Sequence, residues 1–237
     1  MNKNEIVDAI KGLKASSSKR NFKQTFDMVI NLKGLDMKKP DNQVEFFANL
    51  HFSRGRKISI CAFVGPELKP EAEKVCDEVI NVDNFDKYAK DKKLAKKLAE
   101  KHNFFIAQAD IMPRVAAAFG KALGPRGKMP NPKAGCVVPP KAALKPLYDR
   151  LQKVLKISAK TSPIIQCPVG NEDMPEEEVA DNILVVYDQL IHHLPNDKNN
   201  IKNMLVKMTM SGVIKFDDNG NIIKKEESAE EKNMGKK

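Results

Sequence analysis

The 237-residue sequence contains no tryptophan, and aromatic residues make up only 6% of it. It also has no run of the roughly 18 apolar residues that a membrane-spanning helix requires, so we expect no membrane partner. The first five residues lack the apolar centre of a secretory signal, which favours an intracellular, cytoplasmic protein. Hydrophobic residues at 41% and charged residues at 30% are typical of a globular chain rather than a disordered one.

Cysteine and histidine are scarce and are not spaced as metal ligands. The cysteines form no Cys-x-x-Cys pair, and the four histidines are not placed to complete a zinc site. We therefore expect buried thiols in a reducing compartment, with no metal and no cofactor. The residues concerned are Cys61, Cys76, Cys136, Cys167, His51, His102, His192 and His193.

The motifs of common enzyme classes are also missing. No Gly-x-Gly-x-x-Gly follows a strand, and no serine stands in a Gly-x-Ser-x-Gly elbow. Gly127-Lys128 is followed by Met129 and has Ala122 where a P-loop needs glycine. Carboxylates occur in solvated runs such as 176–178. The sequence predicts a protein that is not an enzyme.

Positive charge is what the sequence has in excess. The net charge is +10, with a pI near 9.3. Residues 1–57 hold 12 Lys+Arg against 6 Asp+Glu, and residues 58–155 hold 18 against 11. Residues 156–237 hold 11 against 14. This distribution is compatible with a nucleic-acid partner, although many moderately basic proteins have none.

The two flanks of the chain predict an α+β domain. Apolar residues recur at helical spacing over 6–13 and at every second position over 26–32, which leaves Thr25 and Asp27 on the opposite face of a strand. Further predicted elements are a strand at 164–169, a helix from 175 to 195 and strands at 204–210 and 213–216.

The middle of the chain predicts a different, α/β domain, because strands alternate with helices as in a parallel sheet. The predicted strands lie at 57–64, 78–82 and 104–107, and the helices at 67–75, at 86–101 and around 115–119. The simplest architecture inserts this domain, 58–155, into a split α+β domain of 1–57 and 156–237 that holds both termini. The polar stretch 217–237 predicts a disordered tail.

The segment Leu123-Gly124-Pro125-Arg126-Gly127-Lys128-Met129-Pro130-Asn131-Pro132-Lys133-Ala134-Gly135 is unusual. Its glycines permit positive φ and its prolines stiffen the backbone, so a defined surface loop costs little entropy. Arg126, Lys128 and Lys133 place three cations on it. A basic contact surface and a structural loop with merely solvated charges explain this pattern equally well.

This loop closely resembles the signature of the first large-subunit ribosomal protein, the L-one family. The resemblance extends to Phe22–Leu32 and, in the same order, to Pro168-Val169-Gly170, Asn182-Ile183 and Thr209-Met210. It covers most of residues 20–216, and the basic middle helix is similar to archaeal members.

The resemblance implies a first domain with a split α+β sheet and an inserted Rossmann-like second domain. It implies binding to a helical junction in large-subunit rRNA, mainly through the first domain, by a protein that is monomeric when free. Family members form a mobile stalk that helps deacylated tRNA leave the exit site. Several also bind their own mRNA and repress its translation.

The resemblance also implies which residues contact RNA: Phe22, Thr25, Asp27, Asn203, Thr209, Met210, Ser211 and Gly212. The chain departs from the family at four of these positions. Ser211-Gly212 replaces the usual Gly-Pro, Asp27 replaces Glu, and Asn203 replaces Ser. The turn at Ser211 is therefore expected to differ more than the binding itself.

Two interpretations compete with this one. Phe22 and Met210 are residue types more often found in a core than at an RNA surface. The middle domain alone would also suit a nucleotide-binding enzyme, against which the missing phosphate and nucleophile motifs count. Short polar groups such as Thr25 and Thr209 suit RNA, because its shallow minor groove displays 2′-hydroxyls. The role of the 123–135 loop stays open at this point, with tRNA, RNA and the other domain as alternative partners.

Overall fold

The computed structural model describes residues 2–39, 42–140 and 142–217 and the strand residues 222–223. The helices are α1 Lys3–Ser16, α2 Lys69–Val75, α3 Phe85–Lys90, α4 Lys92–Lys101, α5 Met112–Leu123, α6 Leu144–Leu151 and α7 Glu176–His193. The strands are β1 Thr25–Leu32, β2 Val44–Asn49, β3 Ile60–Val64, β4 Glu78–Asn81, β5 Phe104–Gln108, β6 Val137–Val138, β7 Val154–Ala159, β8 Ile164–Asn171, β9 Ile201–Met208, β10 Val213–Phe216 and β11 Ile222–Ile223.

The chain divides into two compact units. Unit 1 comprises Met1–Arg56 and Leu155–Lys237, and unit 2 comprises Lys57–Val154. Unit 1 mixes helices with antiparallel strands, and unit 2 alternates helices with parallel strands. The predicted combination of α+β and α/β folds is therefore confirmed.

Unit 1 is built on a five-stranded sheet in the order β11-β10-β9-β1-β8, in which β1 pairs antiparallel with both β8 and β9. Strand β1 alternates strictly, and Phe26, Met28 and Ile30 are completely buried. They join one core with the apolar faces of α1 and α7. Thr25 and Asp27 consequently lie on the opposite, more open face of the sheet.

Helix α7 is fixed to the sheet through a buried polar residue, Asn182. Its amide nitrogen donates to the carbonyls of Val169 at 2.9 Å and Phe52 at 3.3 Å, and its oxygen accepts from Phe52 N at 3.1 Å. Burying this amide is tolerated because its polar atoms are hydrogen-bonded. The acidic run at the start of α7 also suits the positive end of the helix dipole.

Unit 2 holds a four-stranded parallel sheet in the order β4-β3-β5-β6. Every residue of β3 is buried, as expected for a strand covered on both faces. Helices α3, α4 and α5 pack together, and α2 packs with α6. On the α3–α5 side, Phe63 contacts the rings of Phe85, Phe105 and Phe119 with centroids 4.6 to 5.7 Å apart.

In the parallel sheet, β4 lies on one side of β3, and the later strands β5 and β6 lie on the other. Doubly wound domains bind ligands at the point where the strand order reverses in this way. Here the buried side chain of Gln108, at the end of β5, reaches the residue that follows β3. Its Oε1 accepts a 3.0 Å hydrogen bond from Gly65 N. A β-carbon on Gly65 would lie 3.1 Å from that oxygen, so the packing is close.

Three sequence expectations need correction. The predicted helix 86–101 is two helices, because Asp91 lies between them and caps α4 by accepting from Lys93 N at 2.8 Å. The predicted strand 204–210 ends at Met208. Ile222 and Ile223, predicted to be part of a disordered tail, pair with β10, while 224–237 lie outside the described residues.

Four elements had no counterpart in the sequence prediction, since their apolar patterns are short or irregular: β2, β6, β7 and α6. The expected burial of the thiols holds for Cys61, Cys136 and Cys167, while Cys76 is half-buried. Burial raises the pKa of Cys76 and Cys136 to about 11 and that of Cys167 to about 12. These thiols therefore stay protonated near neutral pH, where the thiolate would be the reactive form.

Candidate RNA-binding surface

The residues Thr209–Gly212 form a tight turn that connects β9 to β10. Ser211 closes this turn by accepting a 2.9 Å hydrogen bond from Met208 N through its Oγ, which also donates to Gly212 O at 2.8 Å. The backbone N of Ser211 donates to Met208 O at 3.3 Å. The departure from the usual Gly-Pro is thus accommodated by a serine hydroxyl that satisfies the end of the strand.

Thr209 connects this turn to the start of β1. Its Oγ1 accepts a hydrogen bond from Thr25 N at 3.1 Å and lies 3.1 Å from Thr25 Oγ1. The two threonines come from positions 184 residues apart in sequence. The structure therefore brings together the two halves of the predicted contact surface.

A completely buried glutamine, Gln24, supports the same junction from below. Its Oε1 accepts from Met210 N at 3.2 Å, and its Nε2 donates to Ser17 Oγ at 3.0 Å. Its own backbone N donates to Glu172 at 3.2 Å. No sequence pattern indicates this role, because Gln24 becomes significant only when β1 and the 209–212 turn meet.

The two large apolar residues of the surface are exposed rather than packed. Phe22 retains 50% of its accessible surface and Met210 retains 58%. Core packing, the competing interpretation, is therefore wrong for both. Both side chains are therefore accessible to a ligand.

Asp27 lies on the same open face, one strand position beyond Thr25. It pairs across the ladder with Lys207 on β9 and Pro168 on β8. Burial raises the pKa of the Asp27 carboxyl, and the positive charge of Lys207 opposes that rise. Lys207 was not among the residues predicted from the sequence, since only the strand register places it opposite Asp27.

Asn203 is on this face but is not close to the other predicted residues. It pairs with Asn31, whose Nδ2 donates to Asn203 Oδ1 at 2.6 Å. Six strand positions separate it from Thr209, which corresponds to about 20 Å. The compact part of the surface is therefore Phe22, Thr25, Asp27 and the 209–212 turn, which we name the polar strip.

The three cations of the 123–135 loop, in unit 2, differ in their surroundings. Lys128 Nζ donates to Ala99 O at 2.7 Å and His102 O at 2.8 Å, carbonyls at the end of α4. Burial lowers the pKa of Lys128, and the charge of Arg126 adds to this effect. Arg126 pairs with Glu100 at 2.7 Å, whereas Lys133 is exposed.

Lys128 therefore has a structural role: it supplies positive charge and two hydrogen bonds to the carbonyl end of α4. Contact of the loop with RNA stays a prediction. The loop's turns need glycine at Gly127, with φ of 60°, and at Gly135, with φ of 74°. These two glycines of the signature are therefore explained by the backbone conformation of the loop.

Within the described part of the chain, no group of three or more His, Cys, Asp or Glu residues is placed to hold a metal ion. In the same residues, no helix combines the length and apolar character needed to cross a membrane.

Comparison with known proteins agrees with the geometry of both units. Residues 13–212 match the family described as "Ribosomal protein L1p/L10e family". The chain is 41% identical to the large ribosomal subunit protein uL1 of Methanobrevibacter smithii over 212 residues, which are 89% of this chain and 98% of that protein.

Two other archaeal relatives carry the same name. The uL1 protein of Thermococcus kodakarensis is 36% identical over 90% of this chain and 97% of its own length. That of Methanocaldococcus jannaschii is 36% identical over 91% of this chain and 96% of its own length. Matches of this extent span both units, and the chain therefore belongs to the ribosomal protein L1p/L10e family.

Proposed function

We propose that this chain binds rRNA of the large ribosomal subunit at its mobile stalk, and that the polar strip is the contact surface. The family consists of structural ribosomal proteins, so the chain is a constituent of the ribosome and not an enzyme. Its place of action is accordingly the ribosome in the cytoplasm.

The observation that carries this proposal is the junction of Thr25 with Thr209, flanked by Phe22 and Met210. The threonine hydroxyls are the right groups to exchange hydrogen bonds with 2′-hydroxyls in a shallow minor groove. Their positions are fixed by the 3.1 Å contacts between the two segments. The exposed Phe22 and Met210 add flat apolar contact with ribose or bases.

Positive charge for phosphate contacts is available on the same open face. Lys207 lies opposite Asp27, and Lys215 on β10 pairs with Leu205 of β9. Asp27 can accept a hydrogen bond from a ribose hydroxyl, and the positive charge of Lys207 opposite it offsets its negative charge. This arrangement suits a protein that recognises RNA shape through sugars and phosphates rather than through base edges.

Family membership alone supports two further roles. At the stalk, the protein helps deacylated tRNA leave the exit site. An mRNA segment that copies the shape of the rRNA junction would meet the same side chains, so repression of its own message would use the polar strip as well. Both roles require the rRNA-binding surface and would be lost with it.

The test is a gel-shift titration of the full chain against a stalk rRNA fragment at two salt concentrations. Thr209→Ala should weaken binding by roughly 1–3 kcal/mol, because Thr25 N and an RNA hydroxyl lose their partner. Thr209→Ser keeps the hydroxyl and should bind nearly as well as wild type. Wild-type affinity should fall steeply with salt, with a log–log slope of about −0.7 to −0.9 per phosphate contact.

Thr161→Ala is the matched control, since Thr161 is exposed in the same unit, in the turn before β8. We expect it to leave affinity unchanged. Equal affinities for Thr209→Ala and Thr161→Ala, with both proteins folded, would show that the polar strip is not the contact surface. A wild-type affinity insensitive to salt would contradict rRNA binding altogether.

A further inference from the structure

Unit 2 contains a groove between its α3–α4 segment and α5 that no part of the rRNA-binding proposal uses. Three lysines rim it, and alanines form most of its floor, so the helices leave a shallow channel between them. The lining residues are Tyr88, Ala89, Lys92, Ala95, Lys96, Ala117, Ala118, Lys121 and Ala122. We name this channel the lysine groove.

The three lysines of the groove are exposed. Lys92 and Lys96 stand four residues apart on α4 and so share one face, and Lys121 comes from α5. Among the described residues, none of the three forms an ion pair within 4.0 Å. Like charges at this spacing repel one another, a cost that an anion in the groove would remove.

Positive charge continues from the groove along α3 and α4. Exposed lysines at Lys87, Lys90, Lys93 and Lys97 extend the charged surface beyond the rim. A compact anion would meet only the three groove lysines. A polyanion with charges at regular intervals could meet several of these side chains in succession, which favours a nucleic-acid backbone.

The groove is not uniformly basic, and this limits how a polyanion can lie in it. Beyond Ala89 and Ala117 the channel continues to Asp83, Asp86 and Arg114. The two carboxylates would repel phosphate there. A strand would therefore cross the lysine end and leave along α4.

We propose that the lysine groove is a second RNA-binding site, in which Lys92, Lys96 and Lys121 hold the phosphodiester backbone without sequence preference. This proposal rests on the proposed function in one respect, namely that RNA is the partner of this protein. It differs from the polar strip in its chemistry, since it offers ammonium groups to phosphates rather than hydroxyls to ribose. An acidic polypeptide is the competing occupant.

Lysine acetylation followed by mass spectrometry locates the contact in the intact 237-residue chain. The chain is treated with an acetylating reagent alone and with oligouridylate of about 16 nucleotides, which has no folded shape for the polar strip to recognise. Bound RNA should slow acetylation of Lys92, Lys96 and Lys121. Lys69, Lys74 and Lys145 serve as controls, because they lie on α2 and α6, which pack apart from α3–α5. Equal rates for both sets would overturn the proposal.

Matched triple variants give an independent measure. Changing Lys92, Lys96 and Lys121 together to Ala should lower affinity for oligouridylate about tenfold to a hundredfold at 0.1 M salt and reduce the salt slope by about 2. The Lys69, Lys74 and Lys145 triple Ala variant removes the same charge and should have less than half that effect. Alanine favours helix, so both variants should fold.

Two comparisons separate the remaining outcomes. Polyglutamate that protects the groove lysines as well as oligouridylate does, at equal charge concentration, would assign the groove to an acidic polypeptide and overturn the RNA proposal. Thr209→Ala should leave oligouridylate binding unchanged while weakening the stalk fragment. The experiments therefore give different results when the polar-strip proposal is wrong and when the lysine-groove proposal is wrong.

Discussion

Unit 1 and unit 2 use their sheets in opposite ways. The antiparallel sheet of unit 1 buries one face under α1 and α7 and leaves the other open, where β1 presents Thr25 and Asp27. The parallel sheet of unit 2 is covered on both faces, so that all of β3 is buried. Contact groups in unit 1 therefore stand on strands and a turn, while those in unit 2 can only stand on helices and loops.

This difference decides what kind of ligand chemistry each unit can offer. Strand residues in a ladder are held rigidly by their neighbours, so short hydroxyl and carboxylate groups can be positioned to match a ribose. Exposed helix faces carry long flexible lysines, which attract phosphate but do not select sequence or shape. Unit 1 should therefore provide specificity, and unit 2 a largely electrostatic contribution.

The largest effects on stability should come from substitutions in the two cores, which test each unit by itself. Phe26 in unit 1 and Phe119 in unit 2 are both completely buried. Replacing either with Ala should cost roughly 3–5 kcal/mol of unfolding free energy, measured by urea titration. Phe26→Ala should also weaken stalk rRNA binding, because Phe26 adjoins Thr25 and Asp27 on β1.

Phe119→Ala, measured where circular dichroism shows it folded, should retain most of its affinity for the stalk fragment. A loss of rRNA affinity as large as that of Phe26→Ala would break the comparison, since it would place shape-specific binding in unit 2 as well.

An intermediate effect on stability should come from the signature loop. Lys128→Ala removes both hydrogen bonds to the end of α4 and should lower the unfolding free energy by about 1–3 kcal/mol. Lys133→Ala, in the same loop but exposed, should change it by less than about 0.5 kcal/mol. Equal stabilities of the two variants would mean that Lys128 does not hold α4.

The smallest effect concerns Asp27 and depends on pH. Burial raises its pKa above the ordinary 3.8, so the folded state keeps the proton to higher pH than the unfolded chain. The charged carboxylate then costs stability at neutral pH, and Asp27→Asn should be more stable at pH 7 by less than about 1 kcal/mol. The difference should shrink as the pH falls through the raised pKa and vanish below 3.8.

Glu176→Gln is a control that should change the stability in the opposite direction. A hydrogen bond from Lys14 lowers the pKa of Glu176 below 4.5, so its contribution is present above that value and is lost as the pH falls. Glu176→Gln should be less stable than wild type at pH 7. If Asp27→Asn also lost stability at pH 7, Asp27 would be better satisfied in the free protein than its burial indicates.

Much of the fold was predictable because the chain's apolar periodicity is strong where elements are long. The alternation over 26–32 and the helical stripe of α7 identified elements that pack in one core. The break at Asp91 was missed, since a single capping residue interrupts the basic stretch without changing its apolar spacing. Short elements such as β2 and β7 have too few residues to show a period.

The candidate surface was predictable only in part. Resemblance to the family identified Thr209 and Thr25, and the structure brings them within hydrogen-bond distance. It grouped Asn203 with them, although the strand register puts Asn203 at the far end of the sheet. Gln24 and Lys207 were missed, because their roles arise from cross-strand neighbours that a linear pattern does not reveal.

The sequence by itself determined the two fold types, the basic balance and the residues that the family uses. Periodicity and composition are local properties, so they can be read along the chain without knowing which segments meet. Only the tertiary structure decided that Phe22 and Met210 are exposed, that Lys128 caps α4, and that three helices enclose a lysine-rimmed groove. These are consequences of contacts between distant segments, and such contacts fix the burial, charge environment and hydrogen bonding of each side chain.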